Sequence, residues 1–83
     1  MVQQVFPDAE FAAQTAALAE RIAAGPTLAY ARAKELYNRA LSQPLETQLE
    51  EERQCIARSA TTHDFREGVR AFLEKRPARF EGR

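Results

Sequence analysis

The sequence predicts an all-α fold, three to four helices joined by short connections into an irregular bundle. Three observations carry this. Apolar residues recur at three- and four-residue spacing in successive stretches, the pattern of a helix face. Gly25-Pro26 and Pro44 fall between those stretches and Pro77 just after the last, where breakers belong. Capping-type residues, Asp8 and Thr61-Thr62-His63-Asp64, stand where two helices would begin. Only Val2 to Phe6, apolar at both ends and closed by Pro7, has the look of a strand end, and it has nothing to pair with.

The first helix is predicted from an N-cap at Asp8 to about Ala24. Phe11, Leu18 and Ile22 lie on one face with Ala12, Ala16, Ala19 and Ala23 beside them. Gly25 is expected to be a left-handed C-cap, and Pro26 blocks continuation. The second helix starts near Pro26 or Thr27 and runs to about Leu41 or Ser42. Its apolar stripe is Ala29, Tyr30, Ala33, Leu36, Tyr37, Ala40 and Leu41, and Arg32, Lys34, Glu35, Asn38 and Arg39 fill the opposite face. Pro44 suits the first turn of a third helix, whose buried side is read as Leu45, Leu49, Ile56 and Ala60. Acidic residues occupy its first half and Arg53 and Arg58 its second, the polarity a helix dipole prefers. The fourth helix follows the Thr61–Asp64 break and runs to about Lys75 or Arg76, with Phe65, Val69, Phe72 and Leu73 as its apolar stripe. Gly68 in its interior costs about 1 kcal/mol against alanine, which points to close packing there. Pro77 to Arg83 is a polar tail with Phe80 as its one anchor candidate.

Composition narrows the function. Eighty-three residues, read as a single helical domain over 1–83, bury a modest core. Alanine dominates the 45% hydrophobic fraction, so little area is buried per residue and a homo-oligomer or a partner domain is expected. Twelve basic and twelve acidic residues cancel, which argues against a non-specific nucleic-acid partner. No apolar run approaches the roughly 20 residues of a membrane span. The N-terminus lacks the pattern of a signal peptide. Cys55 is the single cysteine, so no intrachain disulfide forms, in keeping with a cytoplasmic setting.

The run Phe65-Arg66-Glu67-Gly68-Val69-Arg70-Ala71-Phe72-Leu73-Glu74-Lys75-Arg76-Pro77 resembles the C-terminal signature of the enoyl-CoA hydratase/isomerase (crotonase) family, "D-F-x-E-G-x-x-A-F-L-E-K-R-P". Two further landmarks occur in the family's order. Val2-Gln3-Gln4-Val5-Phe6-Pro7-Asp8 looks like its "G-L-V-x-x-V-x-P" strand end and helix entry. Ala24-Gly25-Pro26 with Ala29 and Lys34 is similar to its "A-x-x-P-x-A-x-x-x-x-K" helix, here with Tyr30 and Tyr37 as unusual members.

The resemblance covers the whole chain but only about the last third of a typical member. It implies the helical tail of an acyl-CoA enzyme, truncated before the oxyanion hole and the proton-moving acidic residues, so no catalytic residue is assigned and the chain alone is expected to be inactive. It implies no cofactor, with a CoA thioester as the family's substrate. It also implies oligomer contacts and partial cover of the acyl-CoA site, with Phe72 beside the adenine of the nucleotide and Lys75 near its phosphates. The short tail and the Ala71-to-Pro77 run look most like bacterial members that process phenylacetyl-CoA-type or enoyl-CoA intermediates.

Each of these residues also has a plain structural reading. Phe72 falls in the apolar stripe of its helix, where packing alone would explain it. Lys75 and Arg76 fall where cations favour the helix dipole. Glu46, Glu50, Glu51 and Glu52 are read as a solvated face, since no histidine stands at helical spacing to join them. His63 is a surface residue with no zinc-ligand set around it, and no metal site is assigned. Cys55 is a small hydrophobe rather than a nucleophile. The alternative to the family role is a stand-alone, self-associating helical module with neither ligand nor chemistry.

Overall fold

The computed structural model describes residues 2 and 4–83. Met1 and Gln3, part of the expected strand end, lie outside the described residues; Val2 and residues 4–7 adopt no strand. Among the described residues the elements are α1 (Asp8–Ala23), α2 (Thr27–Arg39), α3 (Leu45–Ala60) and α4 (His63–Leu73). The all-α expectation holds.

The helix ends show how each segment forms. Pro7, Pro26 and Pro44 each take the N-cap of the helix that follows. The first residue of α1 is therefore Asp8, one place inside the cap expected of it. Proline serves there because its φ is already close to helical and its carbonyl stays free to accept. Pro26, for example, accepts from the N–H of Ala29 and of Tyr30 at 2.9 and 3.2 Å. Thr62 caps α4 as expected, its hydroxyl accepting from the Phe65 N–H at 3.1 Å.

Three boundaries differ from expectation. Gly25 is not left-handed; α1 closes through right-handed Ala24, whose N–H reaches the Glu20 carbonyl at 2.9 Å. The Tyr30 ring lies against Gly25, so a Cβ there would push the ring aside. Helix α2 stops at Arg39 because Ser42 turns back on it, its hydroxyl and its N–H both donating to the Arg39 carbonyl at 3.0 and 2.9 Å. Helix α4 stops at Leu73 in a Schellman motif. The Lys75 N–H donates to the Phe72 carbonyl at 3.2 Å and the Arg76 N–H to the Ala71 carbonyl at 3.0 Å.

Helix α2 packs on α3 and α3 on α4. No residue of α1 is buried. The apolar stripes enter the seams only in part, through half-buried Leu36 and Ala40 of α2. Leu45, Leu49 and Ile56 of α3 are exposed, Ile56 by 69%, whereas the residues α3 buries are Gln48 and Cys55. The α2–α3 seam uses the charged face of α2. Arg32 donates to the Ser59 hydroxyl at 2.8 Å, and Arg39 bridges to Glu51 of α3 at 3.1 Å and to Glu35 at 2.7 Å. Gln43 reaches both Gln48 and Glu51. A polar seam is tolerated when its groups are paired, and among the described residues no buried side-chain nitrogen or oxygen lacks a partner.

The outcome is an open slab measuring 46 × 38 × 18 Å with a radius of gyration of 16.1 Å. A compact domain of this length would have about 12 Å. The slab is thin because the helices touch largely through polar edges and turn most large apolar side chains outward, so no large shared core draws them in.

Candidate functional site

The apolar face of α4 forms one wall of an open groove of about 420 Å³. Phe65, Val69, Phe72 and Leu73 line it together with Leu28 of α2 and Phe80 of the tail. Phe72, placed by the periodicity in a packed stripe, is 83% exposed here. It presents a ring rather than filling a core.

Lys75 lies just beyond α4. It occupies the left-handed position of the Schellman motif at φ 53°, the only non-glycine residue with positive φ among those described. The helix expected to run to Lys75 or Arg76 therefore stops short of Lys75, and Phe72 and Lys75 do not share one helix face. The helix ends between them, and the cap sets where Lys75 begins. None of the ion pairs among the described residues engages Lys75.

The inner face of α4 carries Asp64, Glu67, Gly68 and Ala71, and the tail folds back onto it. The Asp64 carboxylate accepts the N–H of Glu81 at 2.8 Å and of Gly82 at 2.9 Å, and the Asp64 N–H donates to the Arg83 carbonyl at 2.9 Å. Those amide donors, led by Glu81, hold the Asp64 carboxyl below its usual range, with His63 adding to the effect from 3.4 Å. Glu67 accepts two bonds from the Arg76 guanidinium, at 2.7 and 3.0 Å, and one from the Arg79 N–H at 2.8 Å. Arg76 foremost, and then the Arg79 amide, bring the Glu67 carboxyl down to about 2. Arg76 is stabilised as a cation in return, by Glu67 and then Glu74. Phe80 lies over Gly68, as the anchor reading expected.

This clamp was not legible from the residues. Asp64 reads as a first-turn charge and Arg76 as a dipole partner. The turn after Lys75 that brings Arg76 back to Glu67 leaves no periodic trace, and Pro77 is the sole hint of a reversal.

The remaining candidates keep their plain readings. Cys55 is a buried free thiol, 9% exposed, between α2 and α3. Glu50 is fully engaged with Arg53 at 2.7 and 2.8 Å on the surface, which lowers its carboxyl to about 2. Arg39 and Gln43 tie Glu51 into the α2–α3 seam. The acidic cluster is thus divided between a solvated face and a helix contact.

The profile of the enoyl-CoA hydratase/isomerase family matches residues 1–83. The chain belongs to that family. It is 41% identical over 83 residues to a protein of Rhodobacter capsulatus described as "Probable enoyl-CoA hydratase", covering all of this chain and 32% of that one. To the 1,2-epoxyphenylacetyl-CoA isomerase of Escherichia coli K12 it is 37% identical, again over all of this chain and 32% of the relative. The chain thus spans about a third of the length of the curated relatives it matches. The crystal structure of an enoyl-CoA hydratase from Geobacillus kaustophilus HTA426 superposes on 95% of this chain with a TM-score of 0.86 at 30% identity, over 30% of its own length. The same arrangement therefore occurs in that enzyme as part of a longer chain.

Proposed function

We propose that the chain is the C-terminal helical region of an enoyl-CoA hydratase/isomerase, one unit over residues 1–83, which builds oligomer contacts, partly covers an acyl-CoA site and carries no catalytic group. The observation that supports this reading most directly is the outward turn of the apolar stripes. Leu45, Ile56, Phe72 and Leu73 are patterned for burial yet stand in solvent. Apolar surface of that extent favours contact with further protein, and in the Geobacillus enzyme the matching helices form 30% of a longer chain.

In this reading the whole enzyme adds water across, or migrates, a double bond beside a CoA thioester. The names of the Rhodobacter and Escherichia relatives support a CoA thioester substrate, and 2,3-dehydroadipyl-CoA hydratase of Escherichia coli, 37% identical over 86 residues, adds a second acyl group to that class. Catabolism of fatty acid or phenylacetate-type acyl groups in the cytoplasm is the setting proposed. The enzyme needs no cofactor beyond the CoA of its substrate. Donors aimed at the developing enolate oxygen would belong to the rest of the protein. Phe72 and Lys75 are proposed to contact the nucleotide half of CoA, the ring beside the adenine and the ammonium near the phosphates. Exposure of the Phe72 ring and the absence of an ion pair at Lys75 among the described residues leave both available for that role.

The same exposed faces favour a second reading, a self-associating helical module with no ligand. Light-scattering mass at several protein concentrations, with and without CoA, separates the two. A mass or stability that shifts with CoA, and loses the shift in Lys75→Ala, supports the nucleotide role. A mass above the monomer that ignores CoA supports the module. A monomer at every concentration that ignores CoA defeats both.

A further inference from the structure

We propose that Glu67 and Arg76 are positioning residues for Lys75: their paired side chains hold the backbone of Lys75 left-handed and so fix where its ammonium can reach. The inference rests on the proposed nucleotide role of Lys75 and adds the residues through which that role is set.

Lys75 sits in a local conflict. A left-handed residue brings its Cβ against the neighbouring carbonyl, so glycine is the usual occupant of this cap position. Here the occupant is Lys75, at φ 53°. A lysine stays there only if its surroundings over-determine the conformation. Two backbone bonds close the cap, from the Lys75 N–H to the Phe72 carbonyl and from the Arg76 N–H to the Ala71 carbonyl.

The larger restraint comes from the next residue. Arg76 reaches back across the cap to Glu67 with two parallel bonds of 2.7 and 3.0 Å, and its Nε donates to Glu74 at 2.6 Å. The residues on either side of Lys75 are thus joined to each other, and one of them is joined to the body of α4. Glu67 is itself held by the Arg79 N–H at 2.8 Å, and its side chain is only 11% exposed. A fork of this kind fixes direction as well as distance, which an ammonium at position 76 would not do. With the backbone fixed on both sides, Lys75 leaves the helix end in one direction, with no carboxylate among the described residues drawing it away.

The test uses Glu67→Gln, Arg76→Lys, Lys75→Ala and the Glu67→Gln/Lys75→Ala double variant, titrated with CoA, each also examined without ligand for the strong intraresidue amide–Hα NOE that marks positive φ at residue 75. Simple electrostatics predicts that removing the Glu67 charge favours an anion such as CoA. Positioning predicts the opposite: Glu67→Gln and Arg76→Lys each weaken CoA binding by about threefold to fivefold, the scale of one exposed charge contact, and Glu67→Gln has no further effect once Lys75 is alanine. A positive-φ signature that survives in both single variants overturns the proposal, and so does a lost signature with unchanged CoA affinity. If the parent chain does not bind CoA, the nucleotide role of Lys75 fails on its own, and the NOE still decides whether the pair holds the residue.

Discussion

The Asp64 carboxylate accepts the backbone N–H of Gly82 at 2.9 Å, eighteen residues further along the chain. That bond and its neighbour from Glu81 tie the first turn of α4 to the tail. The tail in turn lays Phe80 over Gly68 and into the lining of the groove in which Phe72 stands. One buried acid, 3% exposed, thereby links the cap of a helix to the shape of the candidate site.

Acid should release the tail. The Asp64 and Glu67 carboxyls are both depressed in the folded chain, so their stabilisation is present above their unfolded values and is lost as pH falls through the folded ones. For Glu67 the window runs from 4.5 down to about 2. Amide exchange followed by NMR should show Arg79, Glu81 and Gly82 losing protection across that range while the middle of α3 keeps its own. In Asp64→Ala the Glu81 and Gly82 amides should exchange as unprotected groups already at neutral pH. Tail amides that stay protected at pH 2 would contradict the clamp.

Gly68 and Gly82 should respond oppositely to alanine. A Cβ at Gly68 would meet the Phe80 ring at 3.5 Å, an ordinary contact, so Gly68→Ala should raise stability by about 1 kcal/mol through helix propensity. Gly82 has φ 74°, and a Cβ there would lie 2.8 Å from the Thr27 hydroxyl. Gly82→Ala should therefore destabilise by about 1–2 kcal/mol. Paired thermal melts check both signs.

Lys75→Gly should separate stability from ligand contact. Glycine relieves the left-handed strain, an effect of about 1 kcal/mol before the extra freedom of the unfolded chain is counted. Its melting temperature should rise while any CoA response falls. A melting temperature below that of the parent would mean that the unfolded-chain freedom of glycine, or a direct contact of the lysine side chain, outweighs the relieved strain.

Gathered together, the local elements were readable and their relations were not. The residues alone placed all four helices: proline and glycine between them, Thr62 as a cap, and apolar spacing within each stretch. The 65–77 run also identified the family. Periodicity reports which residues share a face, but it does not say what that face meets. It therefore marked Leu45, Leu49, Ile56 and Phe72 as buried, while only the tertiary structure showed them turned outward and Gln48, Cys55 and Asp64 turned in. The physical reason is that a seam can be closed by paired polar groups as well as by apolar ones. Which of the two is used depends on what else the helices must cover. Likewise the reach of Arg76 to Glu67 depends on the sign of φ at Lys75, a choice settled by contacts nine residues apart rather than by the residue itself.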